Sequence, residues 1–129
     1  RPLMLAILIG AVLVGCTPRR DLAPADVVDL TLVEGRGAEF ADEVQRFARE
    51  HDLRISSSPG APVWGQATVV RMDGHGVWVM GTNAGDSDQF TFSFYPEDAN
   101  SQADVQRAQS LASEFEDTLS SAGVAVVER

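Results

Sequence analysis

Two histidines, His51 and His75, are the side chains of this sequence best suited to acid–base or metal chemistry. His51 ends a segment with helical periodicity, where the helix dipole favours a charged imidazole, so we interpret it as a capping residue. His75 lies in a Gly-His-Gly tripeptide that is typical of an exposed turn, with ligand or proton binding as the alternative. Because no His-x-His or His-x3-His spacing is present, the sequence predicts no metal site.

Asparagine, aspartate and serine oxygens are the remaining candidates for ligand binding or catalysis. Asn83, Asp86 and Asp88 could offer oxygens to calcium, but their order lacks the glycine and glutamate positions of an EF-hand, and a hairpin turn is favoured. The serines at 56–58 lack the Gly-x-Ser-x-Gly context of a hydrolase nucleophile. We therefore expect no catalytic residue, no cofactor and no enzymatic activity.

The one cysteine, Cys16, closes an apolar stretch over residues 3–15 that follows Arg1. This layout is typical of a secretory signal peptide. The run Leu13-Val14-Gly15-Cys16 resembles the lipobox of bacterial lipoproteins. The resemblance implies cleavage before Cys16, a diacylglycerol on its sulfur and an acyl chain on its new amino group. A transmembrane anchor or an ordinary signal with a chance cysteine are the alternatives, although the stretch is shorter than the roughly 20 residues that span a bilayer.

The lipoprotein resemblance also implies a location and a division of the chain. In this family an aspartate after the cysteine commonly signals retention in the inner membrane, whereas this chain has Thr17. In a Gram-negative bacterium we therefore expect an outer-membrane anchor facing the periplasm. Residues 1–15 are then the signal peptide, 16–26 a lipidated tether containing Pro18 and Pro24, and 27–129 a single domain. The membrane is the first expected partner, through Cys16.

Composition excludes one class of partner. The formal net charge is −9, and every positively charged side chain other than histidine is an arginine. An acidic chain without basic clusters lacks the electrostatic attraction that drives nucleic-acid binding, so we expect no nucleic-acid partner.

Apolar periodicity predicts two helices and six short strands. Val28, Leu30 and Leu32 alternate like a strand, and spacings of three and four predict amphipathic helices over residues 37–51 and 102–121. Asn100 or Ser101 is expected to cap the second helix. A second predicted strand begins at Leu53, and four more cover residues 66–72, 77–82, 89–95 and 124–127. We expect an α+β fold with an antiparallel sheet of five or six strands and both helices on one face, resembling a ferredoxin-like plait with an added hairpin.

A weak internal match at an offset of 71 residues supports placing both helices on one face. It aligns the apolar stripes of the helices and continues into the strands that follow, where Leu53 and Ile55 align with Val124 and Val126. Any amphipathic helix followed by a strand would produce a similar match, so repetition and coincidence both remain open.

One region has more apolar side chains than a single buried sheet face requires. If Phe90, Phe92 and Phe94 face the helices, then Tyr95 faces the other way. Either Val77 and Val79 or Trp78 and Met80 must join Tyr95, because all four are apolar. We take the surface formed by Trp78, Met80 and Tyr95 as the candidate protein-binding site. Cover by the chain's own residues 56–65 is the alternative.

From these features we expect a membrane-tethered, periplasm-facing lipoprotein that acts as a non-enzymatic accessory or binding subunit of an envelope complex. An immunity-type inhibitor, whose acidic surface neutralises a basic periplasmic toxin, is the alternative of the same binding class. An envelope hydrolase is the enzymatic alternative, which the missing nucleophile–base pair disfavours.

Overall fold

The computed structural model of this protein describes residues 23–57, 69–83 and 87–128. The lipobox with Cys16, the predicted tether up to residue 22 and residues 66–68 of the predicted strand 66–72 lie outside these residues. The described elements are β1 (Asp26–Leu32), α1 (Gly37–Glu50), β2 (Arg54–Ser57), β3 (Val69–Asp73), β4 (Val77–Asn83), β5 (Gln89–Pro96), α2 (Gln102–Ala122) and β6 (Ala125–Glu128).

The six strands form one open antiparallel sheet in the order β2-β3-β4-β5-β1-β6. Both helices pack on the same face of this sheet, where Phe40 of α1 contacts Phe90 and Phe115 of α2 contacts Phe92. The predicted α+β fold is therefore confirmed. The four strands β6-β1-β5-β4 have the order of a ferredoxin-like plait, and β2 and β3 extend that sheet beyond β4.

The ends of α2 show why this helix begins and stops where the sequence predicts. The Ser101 hydroxyl accepts a hydrogen bond from the backbone N–H of Asp104 at 3.2 Å, which satisfies one free donor of the first turn. The Asp104 carboxylate accepts from the backbone N–H of Asp98 at 3.1 Å, so it fixes the preceding turn instead of closing a capping box on Ser101. Gly123 ends the helix with a left-handed φ of 69°.

The core lies between the sheet and the helices and is rich in phenylalanine. Phe92 and Phe115 are both fully buried, with ring centroids 4.7 Å apart. Gly81 lies opposite Phe92 on β4, and a Cβ at Gly81 would lie 2.4 Å from a ring carbon of Phe92. The ring therefore occupies the space that any side chain at position 81 would need.

The internal match holds for the helices and fails at its last strand position. Leu53 and Val124 are both buried, as expected. Ile55 pairs with buried Met72 and packs against the core, whereas Val126 is 60% exposed on the other sheet face. The expectation of a shared strand register is therefore wrong, because Ala125 already fills the core position beside Leu32 and turns Val126 outward.

Candidate functional site

The strand register places the three candidate residues together. Val79 pairs with Phe94 on the helix side, so Trp78 and Met80 point to the opposite side of the sheet with Tyr95. We call this side the open face, since within residues 23–57, 69–83 and 87–128 both helices lie on the other side. Of the two registers that the sequence allowed, the structure has the one with Trp78 and Met80 on the open face, where both are partly buried.

An aromatic and cationic stack lies on the open face. The rings of Trp78 and Tyr95 are nearly parallel, at 7°, with centroids 4.0 Å apart. On the β3 side of Trp78, the guanidinium carbon of Arg71 lies 4.7 Å from the indole centroid. Asp73 orients Arg71 by accepting from its Nε at 3.0 Å. We call this group the Arg71–Trp78–Tyr95 stack.

Apolar side chains extend across the open face beyond the stack. Among the residues that the structure describes, the three large hydrophobic residues that are most exposed are Val27 at 40%, Val69 at 48% and Val126 at 60%. They belong to β1, β3 and β6, and their pairing with Ser93, Thr82 and Thr31 puts all three on the open face. Within the described ranges, the large apolar side chains that are exposed thus lie on the sheet face away from the helices, as expected of an interaction surface.

The charges of the open face are divided between its two halves. Arg54 and Arg71 lie on β2 and β3 together with Asp73. Asp29 and Glu128 lie directly opposite each other on β1 and β6. Like charges at paired positions destabilise a sheet.

Two hydroxyl groups compensate part of this repulsion. The Thr91 hydroxyl donates to Asp29 at 2.7 Å, and the Thr31 hydroxyl donates to Glu128. The two carboxylates border a cavity of about 370 Å³ that Gln89 and Thr91 also line. The β1–β6 half of the open face therefore presents negative charge held in place by hydrogen bonds.

The two histidines lie at the end of a helix and in a turn between strands. His51 is the C-cap residue of α1, its ring packs on Phe47 with centroids 4.4 Å apart, and its Nε2 lies 3.0 Å from a carboxylate oxygen of Glu114 on α2. His75 is exposed in the β3–β4 turn, whose Gly76 N–H donates to Glu97 at 2.9 Å. His51 thus links the two helices, in addition to the capping role that the sequence predicts.

Asn83, at the end of β4, is hydrogen-bonded to residues at and before the start of β5. This side chain is 8% exposed, and its amide nitrogen donates to the carbonyl groups of Ser87 and Gln89 at 2.6 and 3.0 Å. Asp88 is exposed, and Asp86 lies outside the described residues. In the part of the chain that the structure describes, no three His, Cys, Asp or Glu side chains come close enough to hold a metal ion.

Sequence reasoning found the aromatic part of the open face and missed its cation. Arg71 and Asp73 are two residues apart, which is the spacing for neighbours on one face of a strand, and that signal was available. The stacking of Arg71 on Trp78 depends on the register of β3 against β4, which places Arg71 opposite Met80 and diagonal to Trp78.

Comparison with protein-family models finds no family that matches this chain, and comparison with curated proteins finds no match to its sequence. Neither helix of the described part combines the length and apolar composition that crossing a membrane requires.

Proposed function

We propose that this protein is a lipid-anchored, non-enzymatic binding protein of the bacterial cell envelope, and that its open face binds protein. The Arg71–Trp78–Tyr95 stack is the observation that carries the proposal. Tryptophan, tyrosine and arginine are enriched among the residues that contribute most to protein–protein affinity.

The geometry of the stack suits it to binding. Each ring and the guanidinium are held by neighbours within the same chain, so little rotamer freedom remains to be lost when a partner binds. Met80 lies next to Trp78 along the open face, and Val27 and Val69 add apolar contact area. Thr91 and Asp29 supply polar groups toward the edge.

The proposed anchor would hold the open face near the membrane. Cys16 precedes Asp26, the first residue of β1, by ten residues, which can span at most about 35 Å when extended. Asp26 pairs with Phe94, directly before Tyr95, so β1 begins at the sheet end that carries the stack. A partner in the same envelope layer is within reach of this surface. We place the anchor in the outer membrane, facing the periplasm.

Photo-cross-linking in intact cells tests the proposal. A photoreactive amino acid at Met80, on the open face, should give a protein adduct, whereas the same residue at the exposed Ser113 of α2 should give none. The Trp78→Ala and Tyr95→Ala double variant should reduce the Met80 adduct at least tenfold with unchanged circular dichroism. Adducts with lipid alone, or equal protein adducts at both positions, would contradict the proposal. A basic toxin as the partner would favour the immunity-type inhibitor over an envelope complex.

A further inference from the structure

We infer that the open face binds its protein partner through an arginine side chain of that partner, which stacks on the side of the Tyr95 ring that faces away from Trp78. This inference rests on the proposed function, because it names the chemistry of the partner at the same surface. Three features favour it: the direction of the Tyr95 ring, the short side chain opposite Tyr95 and the division of charge across the sheet.

The Tyr95 ring has one side against Trp78 and turns its other side toward β1. The two rings are parallel to within 7° and their centroids are 4.0 Å apart, so they stack face to face across β4 and β5. Arg71 covers the far side of Trp78 from β3. Among the residues that the structure describes, no further ring or cation continues the stack past Tyr95. The Arg71–Trp78–Tyr95 stack therefore has a closed end over β3 and an open end over β1.

Asp73 holds the closed end of the stack. The Nε and Nη2 atoms of Arg71 each lie 3.0 Å from a carboxylate oxygen of Asp73. Hydrogen bonds between two charged groups are about twice as strong as those between neutral groups. A partner is therefore expected to lengthen the stack at Tyr95 and to leave Arg71 where it is.

The strand beside Tyr95 leaves room for a planar group. Asp26 pairs with Phe94, which puts Ala25 opposite Tyr95. The Ala25 N–H donates to the Phe94 carbonyl group at 2.8 Å, so the two chains are already hydrogen-bonded there. The pairing of β6 with β1 begins at Asp29, and no described strand lies outside Ala25. Neighbouring strands are about 4.8 Å apart, so a planar group over Ala25 would stack on Tyr95 at ordinary contact distance.

The charges of the sheet favour a cation at this position. Both arginines of the described strands, Arg54 and Arg71, lie on β2 and β3. On the other side of the stack, β5, β1 and β6 have no basic side chain, and their acidic residues are Asp26, Asp29 and Glu128. Glu97 is exposed two residues after Tyr95. The open end of the stack therefore lies on the acidic side of the sheet, and the face of an aromatic ring itself attracts cations.

Arginine suits this position better than lysine does. A guanidinium group is planar, stacks on aromatic rings and keeps the N–H groups at its edge for carboxylates, whereas an ammonium group is a compact and strongly hydrated charge. The guanidinium carbon of Arg71 lies 4.7 Å from the Trp78 indole centroid in this manner. An arginine of the partner would thus complete a stack of two rings between two guanidinium groups.

Titration of the full-length chain with two tripeptide amides tests the site without the partner. Gly-Arg-Gly amide should shift the backbone amide NMR signals of Ala25 and Val27 in a saturable manner. Gly-Lys-Gly amide has the same charge and should bind at least about threefold more weakly. Tyr95→Phe, which keeps a ring, should bind Gly-Arg-Gly amide at least about fivefold more tightly than Tyr95→Leu.

A larger side chain at position 25 tests whether the partner uses the same position. Ala25→Leu should weaken the binding of Gly-Arg-Gly amide at least fivefold and should lower the Met80 adduct in intact cells at least tenfold. Ala103→Leu makes the same substitution at an exposed position of α2 and should change neither measurement. Circular dichroism checks that both variants fold. If Ala25→Leu does not fold, the comparison of Tyr95→Phe with Tyr95→Leu is repeated on the Met80 adduct.

Each outcome is decisive. Equal affinity for the two peptides, or no saturable shift, would overturn the inference, and so would a Met80 adduct at full yield in folded Ala25→Leu. A protein adduct at Met80 of the parent chain would then leave the proposed function standing, with another group of the partner contacting the open face. If the parent chain forms no protein adduct at Met80, the proposed function fails and the arginine of a partner fails with it, even if the peptide binds.

Discussion

The same central strands present two faces of different chemistry. Toward the helices, β4 and β5 direct Val77, Val79 and the three phenylalanines, all at most 1% exposed. Toward the other side the same strands direct Trp78, Met80 and Tyr95, which are partly buried and adjoin threonine, serine and arginine. Side chains without polar atoms suit a permanent core, whereas side chains that are both apolar and polar suit a surface that is wet when free and dry when bound. One face therefore stabilises the fold, and the other is the face to which our proposal assigns binding.

The largest expected effect concerns the anchor on which the proposed location depends. Cys16→Ser should abolish lipidation completely, since a hydroxyl does not replace the sulfur that accepts diacylglycerol. Intact mass and detergent-phase partitioning measure this loss. The free energy of unfolding of the domain should remain unchanged, because both sheet faces stay as they are. A wild-type chain without the mass of the acyl groups would contradict the lipoprotein interpretation.

Truncation of the core should have the largest effect on stability. Phe92→Ala or Phe115→Ala should lower the free energy of unfolding by about 3–5 kcal/mol, because each leaves a cavity in a packed aromatic cluster. Such a loss is a large part of the roughly 5–15 kcal/mol that stabilises a typical domain. Chemical denaturation is the measurement. A loss below about 1 kcal/mol would show that the sheet face packed against the helices is not the rigid core.

Gly81 offers a gentler test of the same face. Gly81→Ala should cost about 1–3 kcal/mol, since the new Cβ would overlap the Phe92 ring and force it to move. Thr82→Ala, one residue further along β4 and on the open face, is the matched control and should change stability by about 0.5 kcal/mol or less. Similar losses in the two variants would remove the distinction between the faces.

How far the sequence predicts this molecule depends on whether a feature is local. The spacing of apolar residues predicts the helices that contain Phe40 and Phe115. The Ser101 hydroxyl and the left-handed Gly123 mark the two ends of α2, and both signals are local in the sequence. The placement of Trp78 did not follow, because β4 is apolar on both sides and its pattern has no preferred face. Only pairing with Phe94 and its neighbours decides that question, and pairing register is a property of two strands. For the same reason, the sequence alone did not predict the contact of Arg71 with Trp78.

Removing the two aromatic rings of the open face should affect binding more than stability. Trp78→Ala with Tyr95→Ala should lower the free energy of unfolding by about 1–3 kcal/mol, because the aromatic pair contribution of about 0.5–1.5 kcal/mol is lost together with the buried part of both rings. Binding should fall much further, because interface aromatics contribute about 2 kcal/mol or more each. Denaturation and the Met80 cross-link measure the two effects. Unfolding of the double variant would place these residues in the core, covered by the chain's own residues 56–65.

The smallest predicted effect concerns the stability that two facing carboxylates of the open face remove. Asp29 and Glu128 face each other across β1 and β6, and Asp29 accepts a hydrogen bond from Thr91. Asp29→Asn retains an oxygen for Thr91 and removes the repulsion, so the free energy of unfolding should rise by about 0.2–1 kcal/mol. Glu128→Gln is the matched variant and should give a similar gain.

High salt provides the control for this gain. At 1 M salt the screening length falls to about 3 Å, and the advantage of both variants over the parent chain should largely disappear. A variant that is destabilised at low salt would instead show that the Thr91 hydrogen bond requires the carboxylate charge and outweighs the repulsion from Glu128.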